Sequence, residues 1–168
     1  MKHIITVAIL LLITRLVVTA QTISGDYALK NVHTGKYVRI KDANSADGTP
    51  IVAYSPVEWK CVTWHFEPAE AAGAYTLKNL FSGKTLVPAK GQAQPGTALE
   101  ELPFTGQNTQ QYELIAAGSG QYWIRLKGTQ LYLSPADPKG ATNSAIVLQS
   151  RQAGDLQLWT LVEQHPTM

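Results

Sequence analysis

Beyond a markedly apolar beginning, the chain alternates apolar and polar residues in short runs, and no stretch keeps a helical period. A period of two marks strands with one buried face. The first block of this kind predicts strands at Tyr27–Val32, Tyr37–Lys41, Ile51–Tyr54 and Val62–Glu67. Between them lie "HTGK", "DANSADGTP" and "SPVEWK", rich in the residues that turns require. The same order recurs with "FSGK", "KGQAQPGT" and "FTGQNT", and again with "KGTQ", "DPKGATNS" and "RQAGD".

The recurrence has a fixed metric. Tyr27 to Trp64, Tyr75 to Tyr112 and Tyr122 to Trp159 are each separated by 37 residues, and the opening tyrosines recur after 48 and then 47. An internal period of this length signals a repeat architecture. Gly48 and Gly96 occupy one repeat position, where the third copy has Asn143. Asparagine is the commonest non-glycine residue at positive φ, so this position requires a left-handed backbone.

Strand parity assigns the faces. Trp64 and Phe66, Tyr112 and Leu114, and Trp159 and Leu161 share one side in their repeats. Val38, Leu86 and Leu133 do so too, as do Ile51, Leu99 and Ile146. Three matched apolar sets predict a core with pseudo-threefold symmetry. A propeller needs at least about four blades, whereas a closed barrel built from three four-stranded units removes exposed edges. The predicted fold is all-β: a β-trefoil of three four-stranded repeats, at about 26–70, 74–118 and 121–164.

The beginning of the chain changes the electrostatic picture. Lys2 and His3, the apolar run Ile4–Ile13 and the small residues near Ala20 have the layout of a secretory signal peptide over residues 1–20. The wider segment Ile4–Val18, interrupted by Arg15, is too short to span a bilayer. The whole chain carries 14 Lys and Arg against 12 Asp and Glu, but Lys2 and Arg15 fall in the leader, leaving 12 against 12 in residues 21–168. Nucleic acid as a partner is thereby disfavoured, and no membrane insertion is expected once the leader is removed. A secreted or periplasmic location follows from the leader. Cys61, the single cysteine, has no partner for an internal disulfide.

The segment "GKYVRIKDANSADGTPIVAYSP" and the closing "TQQY" and "LQLW" resemble the ricin-type β-trefoil lectins, with their G-K-x-L-D-V and Q-x-W motifs. The resemblance spans about Asp26 to Glu163. It implies a carbohydrate-binding module with glycans or polysaccharide as partners and no cofactor. Trp64, Tyr112, Trp159, Gln110 and Gln157 are expected to serve the core and local backbone rather than a ligand.

Galactose-binding members of that family supply a carboxylate on the second strand, a ring on the third and a polar group before Q-x-W. Those positions hold Arg39, Val87 and Ser134; Tyr54, Leu102 and Gln149; and Cys61, Thr109 and Leu156. Every repeat departs from the pattern, and the first keeps the most. Its candidate carbohydrate-binding residues are Arg39, Asp42, Asn44, Tyr54 and Trp59.

Catalysis and metal binding find no pattern. Glu100 and Glu101 are neighbours on a strand and point to opposite faces. Cys61 and His65 are expected to share a strand face, but four strand residues apart they stand too far from each other for one zinc ion. The alternative function is protein recognition, such as protease inhibition, through the loops Ser55–Lys60 or Ser134–Asn143.

Overall fold

The computed structural model describes residues 22–167; the expected leader lies outside the described residues. Twelve strands follow one another: β1 Gly25–Asn31, β2 Tyr37–Ile40, β3 Ile51–Tyr54 and β4 Trp64–Pro68 form the first repeat. The second contains β5 Ala74–Asn79, β6 Thr85–Pro88, β7 Leu99–Leu102 and β8 Tyr112–Gly118. The third contains β9 Gln121–Leu126, β10 Leu131–Pro135, β11 Ile146–Ser150 and β12 Leu158–Glu163.

The outer strands of the repeats close on one another. Antiparallel pairing runs β12–β1–β4–β5–β8–β9 and returns to β12, so six strands make a barrel without an open edge. The inner pairs β2–β3, β6–β7 and β10–β11 form hairpins that cap it. This is the β-trefoil that the three-copy pattern predicts.

Backbone hydrogen bonds lace the hairpins together in a ring. Gly48 N–H donates to Glu101 O at 2.9 Å, Gly96 N–H to Leu148 O at 2.7 Å and Asn143 N–H to Ala53 O at 2.8 Å. Each loop thus engages the third strand of the next repeat. The donors have φ of 81°, 88° and 66°, the left-handed backbone predicted for this position.

Inside, Trp64, Phe66, Tyr112 and Trp159 are fully enclosed, with Leu29, Leu77, Leu86, Leu99, Ile124 and Leu133 around them. Each closing ring also carries a polar handle. Trp64 Nε1 donates to Val38 O, Tyr112 Oη to Leu86 O and Trp159 Nε1 to Leu133 O, all at 3.1 Å and all across 26 residues. Buried rings of this kind require a partner for their polar atom.

Some element ends differ from expectation. The fourth strand of the first repeat begins at Trp64 rather than Val62, because Lys60–Val62 forms a 3-10 turn; Cys61 therefore lies before the strand and shares no strand face with His65. The second strand stops at Ile40, because Lys41–Ala43 makes a similar turn with Asp42 at φ 54°. Alternation cannot reveal such turns, whose few residues are too short for a period.

Glu101 breaks the core pattern. Ala53 and Leu148 hold the equivalent positions, and all three are buried. Glu101 Oε2 accepts a hydrogen bond from Ser82 Oγ at 2.5 Å, while Oε1 has no partner. Burial raises its carboxyl above the ordinary glutamate range, against the opposing pull of Ser82 and Lys84. Glu100 points the other way and accepts from Lys90 N–H at 3.2 Å, so the two carboxylates do diverge.

Two stability predictions follow from these contacts. Tyr112→Phe removes only a hydroxyl and leaves Leu86 O unpaired, and is expected to cost about 1–3 kcal/mol in denaturant unfolding. For Glu101 the folded state binds the proton more tightly than the unfolded chain. Its contribution is therefore present at low pH and is lost as pH rises through the raised folded value. In thermal melts, the advantage of Glu101→Gln over the parent is expected to grow between about pH 4 and pH 7; a constant difference would contradict this.

Candidate functional site

Two of the five expected site residues, Arg39 and Tyr54, lie on the outward face of the β2–β3 hairpin. Val38 and Ile40 point into the core, so Tyr37 and Arg39 face the other way. In the register, Tyr37 lies opposite Tyr54 and Arg39 opposite Val52, which puts Arg39 diagonal to Tyr54. The guanidinium carbon of Arg39 lies 4.0 Å from the centre of the Tyr54 ring. Tyr54 and Trp59 are in turn 6.1 Å apart at an interplanar angle of 34°.

Three of the five expected residues therefore form one stack: Arg39, Tyr54 and Trp59. Arg39 is only 8% exposed, and its Nε is buried without a hydrogen-bond partner. Trp59 is 37% exposed. The other two residues are engaged in the turn after β2. Asp42 is exposed at positive φ, and Asn44 Oδ1 accepts Ala46 N–H at 3.0 Å. Asp47 is paired with Lys84 of the second repeat at 2.5 Å.

The loop bearing Trp59 is held differently from its counterparts. Gln110 Nε2 donates to Pro103 O at 2.8 Å, and its Oε1 accepts Thr105 N–H at 2.7 Å. Gln157 does the same with Ser150 O at 2.9 Å and Gln152 N–H at 2.8 Å. The equivalent residue in the first repeat is Val62, which is buried and makes no such tie. There Thr63 Oγ1 donates to Trp59 O at 2.9 Å, and Glu58 Oε1 accepts His165 N–H at 3.3 Å. Beneath the loop, Val62, Cys61, Tyr37 and Ala28 form a small second core, so Cys61 is sequestered.

Beside Trp59 lies a recess of about 300 Å³ lined by Ala43, Trp59, Lys60, Cys61 and Phe81. Phe81 comes from the "FSGK" turn of the second repeat and is 46% exposed. Reading each repeat separately misses it, although a ring within a polar turn was the available signal. The second repeat has a recess of about 270 Å³ whose lining includes Val87, Leu102, Gly91, Gln107 and Thr109. Gly91, Gln107 and Thr109 are the repeat partners of Ala43, Trp59 and Cys61. The cavity is retained there, but the acid and ring positions are aliphatic. In the third repeat Ser134 is buried and bonds the neighbouring Pro135 O at 3.3 Å.

The Ser134–Asn143 loop is compact. Asp137 accepts Lys139 N–H and Ala141 N–H at 2.9 and 3.0 Å, bonds that hold its carboxyl below the ordinary aspartate range. An added Cβ at Gly140 would lie 2.9 Å from Thr34, so this loop packs closely on the first repeat. Among the described residues no group of three His, Cys, Asp or Glu side chains is placed to hold a metal ion.

The sequence matches the ricin-type β-trefoil lectin-like domain over residues 15–100 and 60–150. No curated protein sequence gives a significant match. Among solved structures, a designed threefold-symmetric protein, ThreeFoil, aligns with a TM-score of 0.78 and 25% identity, covering 83% of this chain and 99% of that one. The agglutinin of Rhizoctonia solani aligns at 0.76 and 22% identity, over 87% and 99% of the two chains. The ricin B-like lectin of Macrolepiota procera, solved with lactose, aligns at 0.69 and 21%, over 86% and 99%. By the sequence match, and with a fold that agrees, the chain belongs to the ricin-type β-trefoil lectin-like family.

Proposed function

We propose that the chain is an exported, non-catalytic carbohydrate-binding module whose working site lies in the first repeat, with Arg39, Tyr54 and Trp59 at its centre. Asp42 and Asn44 form its rim. The observation that carries this reading is Trp59: a part-exposed indole, braced by Tyr54, beside an open recess. An aromatic face packs on the C–H surface of a sugar ring, and the brace lowers the entropy cost of presenting it. The recess itself is lined by Ala43, Trp59, Cys61, Phe81 and the Lys60 side chain, so hydroxyl-bonding groups have to come from its rim. The partners are glycans or polysaccharide; no cofactor and no nucleic acid enters the reading.

The second and third repeats serve mainly as scaffold. Val87 and Leu102 offer no acceptor for a hydroxyl, and Ser134 is buried. A site for each repeat, as threefold symmetry would permit, is therefore not proposed.

Two measurements test the reading. The intact mass of the exported protein is expected to begin at Gln21; retention of residues 1–20 would remove the basis for an extracytoplasmic role. On a broad glycan array the same protein is expected to retain a defined set of glycans, and Trp59→Ala to weaken that binding by about tenfold or more, equivalent to about 1.4 kcal/mol. Undiminished binding by Trp59→Ala would move the site elsewhere. Silence of the folded parent protein across the array would end the carbohydrate reading and turn attention to protein partners.

A further inference from the structure

We propose that the first-repeat site selects acidic glycans, with Arg39 receiving a carboxylate or sulfate group of the ligand. The inference rests on the carbohydrate reading above and names the class of sugar that this site would take.

Arg39 carries a charge that the protein leaves unbalanced. Arg39 is more than nine-tenths buried, yet none of the ion pairs among the described residues involves it. Its Nε is enclosed and has no hydrogen-bond partner. The nearby acids are otherwise engaged or turned outward. Asp47 pairs with Lys84, Glu58 accepts the His165 amide, and Asp42 is exposed in its turn. A buried charged donor left unmade is among the costlier features a fold can carry. The equivalent positions in the other repeats are Val87 and Ser134, which shows that the hairpin does not need a cation there.

The stacking tells what such a cation can do. A guanidinium lying over the Tyr54 ring gains from the negative face of the ring and is fixed in orientation. Its N–H donors lie in the guanidinium plane, and with Nε enclosed the two Nη groups are the ones able to meet an anion. That is the geometry in which arginine receives two oxygens of one anion at once. A neutral hydroxyl supplies only one acceptor atom to such a fork. Lys60, beside Trp59 and also without an ion-pair partner among the described residues, adds to the positive potential. An acidic sugar can therefore place its anionic group at Arg39 while a neighbouring ring lies against Trp59.

The test compares matched pairs by calorimetry on the exported protein: a glucuronate-containing oligosaccharide with its neutral glucose counterpart, and a sulfated galactose oligosaccharide with its unsulfated form. At least one acidic member is expected to bind about tenfold tighter than its neutral partner, with a preference that shrinks as salt is raised. Which pair shows the preference distinguishes carboxylate from sulfate. Arg39→Gln is expected to reduce the ratio to about one, read as a ratio within each pair, and Arg39→Lys to restore only part of it. Equal affinities within both pairs, or a preference that survives Arg39→Gln in a folded variant, would overturn the proposal.

A second readout needs no variant and no sugar. Titration with inorganic sulfate is expected to shift the Arg39 Nε–H resonance of the parent protein, and an unmoved resonance overturns the anion site. If the oligosaccharides fail but this resonance moves, the carbohydrate reading falls and the anion site stands. If neutral sugars bind and the resonance stays fixed, the reverse holds.

Discussion

The hydrogen bond from each closing ring to the second strand of its own repeat joins the two halves of this fold. Trp64, Tyr112 and Trp159 sit on barrel strands, and Val38, Leu86 and Leu133 sit on the capping hairpins. A four-residue strand such as β2 or β6 offers little area to hold a hairpin in place by itself. The ring does so twice, by filling the space between cap and barrel and by satisfying a carbonyl that would otherwise be buried without a donor. With the hairpins so placed, their loops reach the next repeat and close the ring of backbone bonds through Gly48, Gly96 and Asn143. No hairpin is then a free edge available for mispairing.

This dependence explains what the sequence makes legible. The constant interval between opening tyrosine and closing ring is the separation of two barrel positions, and a barrel tolerates no slippage between them. The shared place of Gly48, Gly96 and Asn143 records a backbone conformation, which few residues can meet. Features outside the repeat were harder to read. The 3-10 turn at Lys60–Val62 is one turn long, and Phe81 enters the first-repeat recess only because neighbouring repeats abut. Asp42 and Asn44 belong to a polar loop in composition, but nothing in composition tells whether a loop carboxyl faces a cavity or shapes its own turn.

The same division separates stability from recognition. Inward positions of the hairpins are constrained by the core three times over and remain apolar, Glu101 excepted. The outward positions of the second strands lie under no such threefold constraint, and Arg39, Val87 and Ser134 are chemically unrelated at one geometric place. Sequence symmetry therefore reports the scaffold, while departures from it report the surface. In the first repeat the departures converge: Val62 replaces the glutamine that ties the other two loops, Trp59 replaces a polar loop residue, and Arg39 replaces a neutral one.

The departures also concentrate at one seam. Glu101 is clasped by the backbone of Gly48 and Thr49, Ser82 bonds its carboxyl, Lys84 bridges to Asp47, and Phe81 borders the recess beside Trp59. All of these lie where the first and second repeats meet. An unpartnered glutamate oxygen and an unpartnered arginine nitrogen are each unfavourable, and the corresponding places elsewhere, Ala53 and Leu148 for Glu101 and Val87 and Ser134 for Arg39, carry no such cost. Thr85 Oγ1, Trp123 Nε1, Ser144 Oγ and Gln164 Oε1 are also buried without a partner, but among the described residues only Glu101 and Arg39 leave an ionisable group so placed. Local violations of this kind are characteristic of places shaped by function rather than by folding. The site proposed in the first repeat borders the seam between the first two repeats, where Phe81 meets the recess beside Trp59.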